Sequence, residues 1–399
     1  MKEDFLQTIW QMQLFSLPAI TSEGAEITVI KPGFRNREDG PDFRQARLRM
    51  DGMEWNGAVE VHVRAREWMQ HGHQHDAAYD GVILHVVWEE DQPIFRRDGS
   101  RIPALELKNR IPLKLLLNHR QLLAKEEKLA CSGLLLEVPD ILKSSMLETA
   151  LAERMERRGK EVLQRHATAG FDWHRTAAQM LARCLGMPGN EDPMEALVIN
   201  IPANWLQGRL PESKELEEVF LYLAGLKDGK SQVNSHLLQI LRAQGEKVSF
   251  PIPWQKSGRR PAAFPRERIR LLASCLSFLP DWIRQEPEGD FGAFISSRGV
   301  LMGMEMRRHL KLNFEIPLRV ASIMREQSLN NIPDFSDQLH EYPAENHQVS
   351  RLLEKAGMPM ETAAHSQGGK ELLDRYCREK RCMECRIGLS VLDRTISAE

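Results

Sequence analysis

The run Trp55-Asn56-Gly57-Ala58-Val59-Glu60-Val61-His62-Val63-Arg64 decides how the first third of this chain is read. Val59, Val61 and Val63 alternate with Glu60, His62 and Arg64, which is the period of a β-strand with its polar trio on one face. Pro41-Asp42 lies eighteen residues before Glu60, and Asp51-Gly52 between them is a strong hairpin-turn signal. A two-residue turn there sets Asp42 level with Glu60 and Val61 on the neighbouring strand. It also turns Asp42 to the valine side, so a shared site requires a bulge or an irregular strand start near Pro41. Two carboxylates so placed hold Mg²⁺, and a third residue, usually lysine, handles the attacking water or the developing phosphate charge. The plainer alternative is a hairpin with one wet face.

Working outward, strands are expected at 26–31, 44–50, 54–64 and 81–89, with a weaker one at 102–108. Gly81-Val82-Ile83-Leu84-His85-Val86-Val87-Trp88 is almost wholly apolar, as befits a central strand covered on both faces. Phe5, Ile9, Met12 and Phe15 recur at helical spacing, which predicts an amphipathic helix over residues 3–16. These elements make residues 1–128 a mixed sheet flanked by helices. Helical periodicity takes over near residue 140 and runs to about 330, interrupted by a proline-rich stretch from Phe250 to Pro265. A polar segment, Asn330 to Pro343, precedes a cysteine-bearing tail over 345–399. Three regions follow: 1–128, 140–330 and 345–399.

Composition narrows the classes. With 399 residues, 42% hydrophobic and 28% charged, the chain is an ordinary globular one of two or three domains, and no apolar run reaches membrane length. The start, Met1-Lys2-Glu3-Asp4, is too acidic for a signal peptide, and six cysteines without such a signal point to a reducing cytoplasm. A net charge of −2 excludes a broadly cationic nucleic-acid coat, so any such contact must be local. The stretch from Lys256 to Arg270 is the candidate, with Arg259 and Arg260 at its centre, Trp254 just before it and Phe264 within it. Solvated arginines beside a helix start are the alternative. The helix around Ala152–Arg165 alternates signs and reads as solvent-facing.

Gly40-Pro41-Asp42-Phe43, Trp55 to His62, Trp68, His71-Gly72-His73 and Val82 to Val87 together resemble a bacterial family known only as a domain of unknown function. Arg260-Pro261, Phe264-Pro265, Arg268-Ile269 and the closing Cys382-x-x-Cys385-x-Ile387-Gly388 carry the likeness to the far end of the chain. The first third is also similar to the restriction-endonuclease-like superfamily, whose αβββαβ core bears a PD…(D/E)xK site. That likeness implies a nuclease using Mg²⁺ or Mn²⁺, with Asp42 and Glu60 as metal ligands and His62 in the lysine place. Histidine there polarises a water or ligates metal but carries no fixed charge at neutral pH.

The other histidines divide between a metal-binding edge and a polar loop. His71, His73 and His75 could form that edge beside Glu60, with the loop favoured for His75. His73 and His85 are the ligand candidates, a hydrogen-bonded core role being the alternative for His85, and Asp76 and Asp80 belong to turns. Imidazole donors suit Zn²⁺, Mn²⁺ or Fe²⁺ better than Mg²⁺. Cys377, Cys382 and Cys385 supply three thiols within nine residues, and a Cys-x-x-Cys bite chelates zinc or an Fe–S cluster. Cys131 is the natural fourth ligand. A reduced, metal-free cluster is the alternative, and Cys184 and Cys275 lie on apolar helical faces as core residues. The expectation is therefore a metal-dependent nuclease acting on DNA or RNA. The alternatives are a non-catalytic nucleic-acid-binding or scaffolding protein on the same fold, and a metal-dependent hydrolase of another substrate.

Overall fold

The computed structural model describes residues 2–36, 38–124, 129–208, 210–227, 235–243, 254–255, 264–285, 289–326 and 333–394. They form two compact units. The first comprises 1–148, 346–360 and 369–399, and the second 149–345 and 361–368.

The first unit is built on one mixed sheet. Helix α1 (Glu3–Gln11) precedes strands β1 (Ala19–Ile20), β2 (Glu26–Lys31), β3 (Phe34–Arg35), β4 (Phe43–Met50) and β5 (Met53–Arg64). A short helix α2 (Glu67–Gln70) and two 3₁₀ turns lead to β6 (Val82–Glu89), then β7 (Ala104–Glu106). The strand order is β1-β2-β4-β5-β6-β7, with β3 pairing on β4. The β2-β4-β5 part is antiparallel, whereas β6 runs parallel to β5 and β7 parallel to β6. A parallel partner needs a crossover rather than a tight turn, which the helical segment 67–79 supplies.

The hairpin forms as its turn residues dictate. Asp51 and Gly52 both take positive φ, 48° and 82°, which is the two-residue turn whose twist matches its flanking strands. From it the register runs Met50↔Met53 to Ala46↔Gly57 and then slips to Phe43↔Val59. The extra residue lies on β4, where Gln45 has φ 57°. The bulge that a shared Asp42–Glu60 site requires is therefore present, and it leaves Asp42 beside Glu60. At Gly57 an added Cβ would collide with Ile83 Cγ2 and lie 2.6 Å from the Gly81 carbonyl oxygen, so glycine is what lets β6 come this close.

Helix α1 lays Phe5, Leu6, Ile9 and Trp10 against β5 and β6, all four nearly inaccessible. Each such side chain contributes about 1.5–3 kcal/mol on burial. The helix stops at Gln11, short of the predicted residue 16, because Gln13 adopts φ 53° and turns the chain back. Phe15 thereby stacks on Trp10, ring centroids 6.2 Å apart, so its apolar side serves the core without being helical. On the other side of the crossover, Trp68, Tyr79, Val82, Val87, Ile94 and Ile102 form a second apolar cluster. The tail segment 369–399 belongs to this unit, with its last described helix, Arg386–Arg394, packed against α3 (Leu113–Ala124) and the 3₁₀ turn Ser132–Glu137.

The second unit is helical. Its core gathers Phe220, Trp282, Phe291 and Phe314 with the buried thiols Cys184 and Cys275, the core cysteines expected from their apolar faces. The helix Asp140–Thr168 carries the expected i,i+4 pairs Arg157–Glu161 and Glu156–Lys160, yet it is not solvent-facing throughout. Arg154 is buried on Gln367, and Val162 is in the core. Among the described residues no helix is long and apolar enough to cross a membrane.

Candidate metal centre

The site assembles where β4 begins beside β5. Asp42 and Glu60 brace each other through the backbone. The Asp42 N–H donates to Glu60 Oε2 at 3.0 Å, and the Val61 N–H donates to Asp42 Oδ2 at 3.0 Å. Asp42 Oδ1 accepts from Gln7 Nε2 at 2.8 Å, and the same amide reaches Glu3 Oε1 at 3.2 Å. Helix α1 thus brings a third acid to the pair, held in place by Arg35, which donates to Gln7 Oε1 at 2.6 Å. Burial, then the charges of Asp42, Glu67 and Asp4, push Glu3 up to about 7. Burial raises Asp42 as well, and burial with the Asp42 charge raises Glu60 strongly. Three acids thus share a partly desolvated corner in which burial and mutual repulsion oppose ionisation, most strongly at Glu60.

Glu60 Oε1 faces imidazoles. It lies 3.5 Å from His62 Nε2 and 3.4 Å from His73 Nε2, with all three side chains largely buried. These contacts are not ion pairs, because burial pushes His62 down to about 2 and His73 down to about 4 and keeps both rings neutral. One ring nitrogen each from His62, His71 and His73 lies within 4.8 Å of the others. His71 caps the end of α2 and is the exposed member of the trio, whereas His73 opens the 3₁₀ turn His73–His75. His73 stacks on Tyr79 at 3.8 Å between centroids, which fixes its ring plane.

His85, fully buried on β6, stands directly behind His62, with its Nε2 2.8 Å from His62 Nδ1. For His62 Nε2 to offer a lone pair forward, Nδ1 must carry the proton and donate it to His85, the arrangement in which an outer partner fixes a ligand's tautomer. His85, a metal-ligand candidate from the sequence, instead uses its Nε2 to orient His62.

The donor set fits a divalent ion. His73 Nε2 is buried without a hydrogen-bond partner although it faces a carboxylate oxygen. Buried polar atoms are nearly always satisfied, so an orphan aimed into a cluster of donors points to a ligand. With metal–nitrogen bonds of about 2.0–2.1 Å, neighbouring ligand atoms of a tetrahedral site lie roughly 3.4 Å apart, close to the Glu60–His62 and Glu60–His73 separations.

The structure thus brings together Asp42, Glu60, His62, His73 and His85. His75 is exposed, Asp76 caps a 3₁₀ turn through the Ala78 N–H, and Asp80 pairs with Arg97, as loop and turn residues would. Sequence reasoning missed Glu3 and Gln7, whose signal was an i,i+4 polar pair, with Gln7 among the buried residues of the amphipathic helix α1. It also gave His71 no separate role within the metal edge. Arg259 and Arg260 lie outside the described residues. Nearby, Arg270 pairs with Glu217 and Glu267, and Arg266 donates to the Leu226 carbonyl, so these two arginines are engaged within the protein.

The four cysteines Cys131, Cys377, Cys382 and Cys385 all fall in the first unit, and none is in a disulfide. Burial, then the neighbouring thiols of Cys385, Cys131 and Cys382, pushes the Cys377 thiol up.

A family model described as "Protein of unknown function (DUF2851)" matches residues 3–286. The chain belongs to this family. The match takes in α1, the whole sheet and the histidine segment, so every residue of the carboxylate–imidazole group lies within it. No curated protein and no solved structure matches the chain.

Proposed function

We propose that the first unit is a metal-dependent phosphodiesterase of restriction-endonuclease-like fold that cleaves nucleic acid. The observation that carries this reading is the convergence of Glu60 Oε1 with the His62 and His73 Nε2 atoms, beside the braced Asp42 and Glu3 carboxylates. Glu60, His62 and His73 would hold the ion, with His71 at the solvent edge and Asp42 and Glu3 supplying negative charge alongside. A divalent ion held there lowers the pKa of a bound water and stabilises charge on a phosphoryl oxygen. The imidazole-rich donors favour Mn²⁺, Fe²⁺ or Zn²⁺ over Mg²⁺. Helix α1 followed by a three-stranded antiparallel run, a crossover and a parallel strand supports the fold assignment. Asp42 just ahead of β4 and Glu60-x-His62 on β5, joined through the Asp42 and Val61 N–H groups, support the motif assignment.

In this reading His62 is a ligand rather than a substitute for lysine. Its ring is neutral, and its Nδ1 is already engaged by His85. Tyr79 and Trp68 wall the group beside His73, and His71 is its solvent-exposed member.

The test is a panel of single- and double-stranded DNA and RNA with Mn²⁺, Zn²⁺ or Mg²⁺ added to metal-stripped protein. Metal-dependent cleavage that Glu60→Gln abolishes and His62→Lys also abolishes is the expected result. Activity retained in His62→Lys would put His62 back in the lysine role. Turnover of a simple phosphoester with no cleavage of any nucleic acid would leave a metal-dependent hydrolase of another substrate. Binding without cleavage would leave a nucleic-acid-binding or scaffolding protein.

A further inference from the structure

We infer that the exposed face of β2, β4 and β5 is the track along which a nucleic-acid strand reaches the carboxylate–imidazole group. The inference rests on the phosphodiesterase reading for where that strand leads, and on strand register for the track itself. Directly opposed residues of an antiparallel pair point to the same face of a sheet. Lys31 is opposite Arg47, and Arg47 is opposite Asn56, so the three make one row across β2, β4 and β5. Arg49, two residues along β4, shares that face and is opposite Glu54. Phe34 stands opposite Arg44, and Lys31 Nζ lies 3.6 Å over its ring, which joins Phe34 to the row. Arg44, Arg47, Arg49 and Asn56 are exposed, and Phe34 is 59% exposed.

The same face runs on to the site. Between Asn56 and Glu60 the extra residues of the ladders lie on β4 and β6, and β5 keeps its period of two. Asn56, Ala58, Glu60 and His62 therefore point the same way. Four residues at about 3.3 Å each set Asn56 about 13 Å from Glu60, which is about four phosphate steps of one strand.

Charge and an aromatic ring decide the occupant. The whole chain carries a net charge of −2, yet this face gathers Lys31, Arg44, Arg47 and Arg49 against Glu54 and, at the hairpin end, Glu26. Glu54 engages Arg49 at 2.8 Å, and Arg44 donates to the Asp39 carbonyl. Among the described residues no ion pair ties up Lys31, Arg44 or Arg47. A run of cations suits a phosphate backbone, and an exposed ring beside it is a surface on which a base stacks. An acidic polypeptide would meet the charges but has no planar base to set against Phe34.

The experiment uses the full chain carrying Glu60→Gln in a chelating buffer, so that binding is read without cleavage and without metal. Short labelled single-stranded DNA, single-stranded RNA and a DNA duplex are titrated by fluorescence anisotropy at about 50 mM and about 200 mM salt. Arg47→Glu should weaken binding at least about tenfold at the lower salt, whereas Lys214→Glu, the same charge change at an exposed position of the second unit, should not. Arg44→Ala and Arg47→Ala should each flatten the dependence of log affinity on log salt by about 0.7–0.9, the loss of one phosphate contact. Binding that Arg47→Glu and Lys214→Glu weaken equally overturns the track, as does a chain that binds polyglutamate and none of the nucleic acids. Wild-type cleavage with binding indifferent to Arg44 and Arg47 overturns the track and leaves the metal site standing. Binding that depends on both arginines, in a chain that cleaves nothing, supports the track and counts against the phosphodiesterase.

Discussion

Each unit buries a glutamate, and the two are treated in opposite ways. Glu315, in the second unit, is wholly inaccessible, yet it has Lys311 and Arg319 as ion-pair partners and accepts from the Phe291 N–H at 3.0 Å. Glu60, in the first unit, is 5% exposed and has the acids Asp42 and Glu3 and two neutral imidazoles around it. Burial opposes ionisation of both. At Glu315 the protein supplies the compensating charge itself, whereas at Glu60 the described residues supply donors but no cation. A carboxylate with its own cations holds the fold, and one without them is where the proposed ion would sit.

The contrast can be broken by matched substitutions. The largest effect should be on catalysis: Glu60→Gln in metal-loaded protein should lower phosphodiester turnover by at least about 10³-fold, the scale of losing a group that stabilises transition-state charge. Steady-state cleavage assays check it. Glu315→Gln should instead act on stability. It leaves Lys311 and Arg319 buried without their partner, at a cost of about 3–5 kcal/mol by denaturant unfolding. Equal destabilisation by Glu60→Gln and Glu315→Gln would erase the distinction.

A smaller effect belongs to His85. Outer partners of a ligating histidine are worth about 10–100-fold in metal affinity, so His85→Ala should weaken Mn²⁺ binding by that factor in a calorimetric titration. Unchanged affinity would make His85 an ordinary core residue.

The smallest effect sharpens the comparison through pH. Glu60 has a raised folded-state pKa, so it contributes nothing below the unfolded value near 4.5 and costs stability as pH rises above it. The gain in metal-free stability from Glu60→Gln should thus be absent near pH 4.5 and grow by up to about 1.4 kcal/mol per pH unit above it. The depressed histidines act the other way. His62 and His73 stay neutral when folded, so wild-type stability should fall as pH drops below about 6.5, where the unfolded rings take up protons. Thermal midpoints from pH 4.5 to 8 measure both.

Much of the first unit was legible because its signals are local. The Asp51-Gly52 turn, the alternation from Val59 to Arg64 and the apolar run of β6 each fix an element by chemistry within a few residues. They also set a requirement that was not local, a bulge or an irregular strand start near Pro41, because a strict period of two turns Asp42 away from Glu60; the structure meets it with the bulge before Ala46. Glu3 and His71 were harder to place. Glu3 reaches the site only because α1 docks on β5 and β6, and His71 because the crossover folds α2 back over β5. The neutral state of His62 was equally out of reach. It depends first on burial and then on His85, whose position behind His62 follows from a parallel register that no turn signal announces. In the helical unit periodicity gave helices but not their burial, as Arg154 and Val162 on one charged helix make plain.

The most direct measurement is anomalous diffraction from crystals of the full chain soaked in Mn²⁺. The predicted result is one strong peak about 2.0–2.3 Å from Glu60 Oε1 and from the Nε2 atoms of His62 and His73, lost in Glu60→Gln. No anomalous peak within reach of Glu60, with Mn²⁺ bound only elsewhere or not at all, would contradict the metal centre and the function built on it.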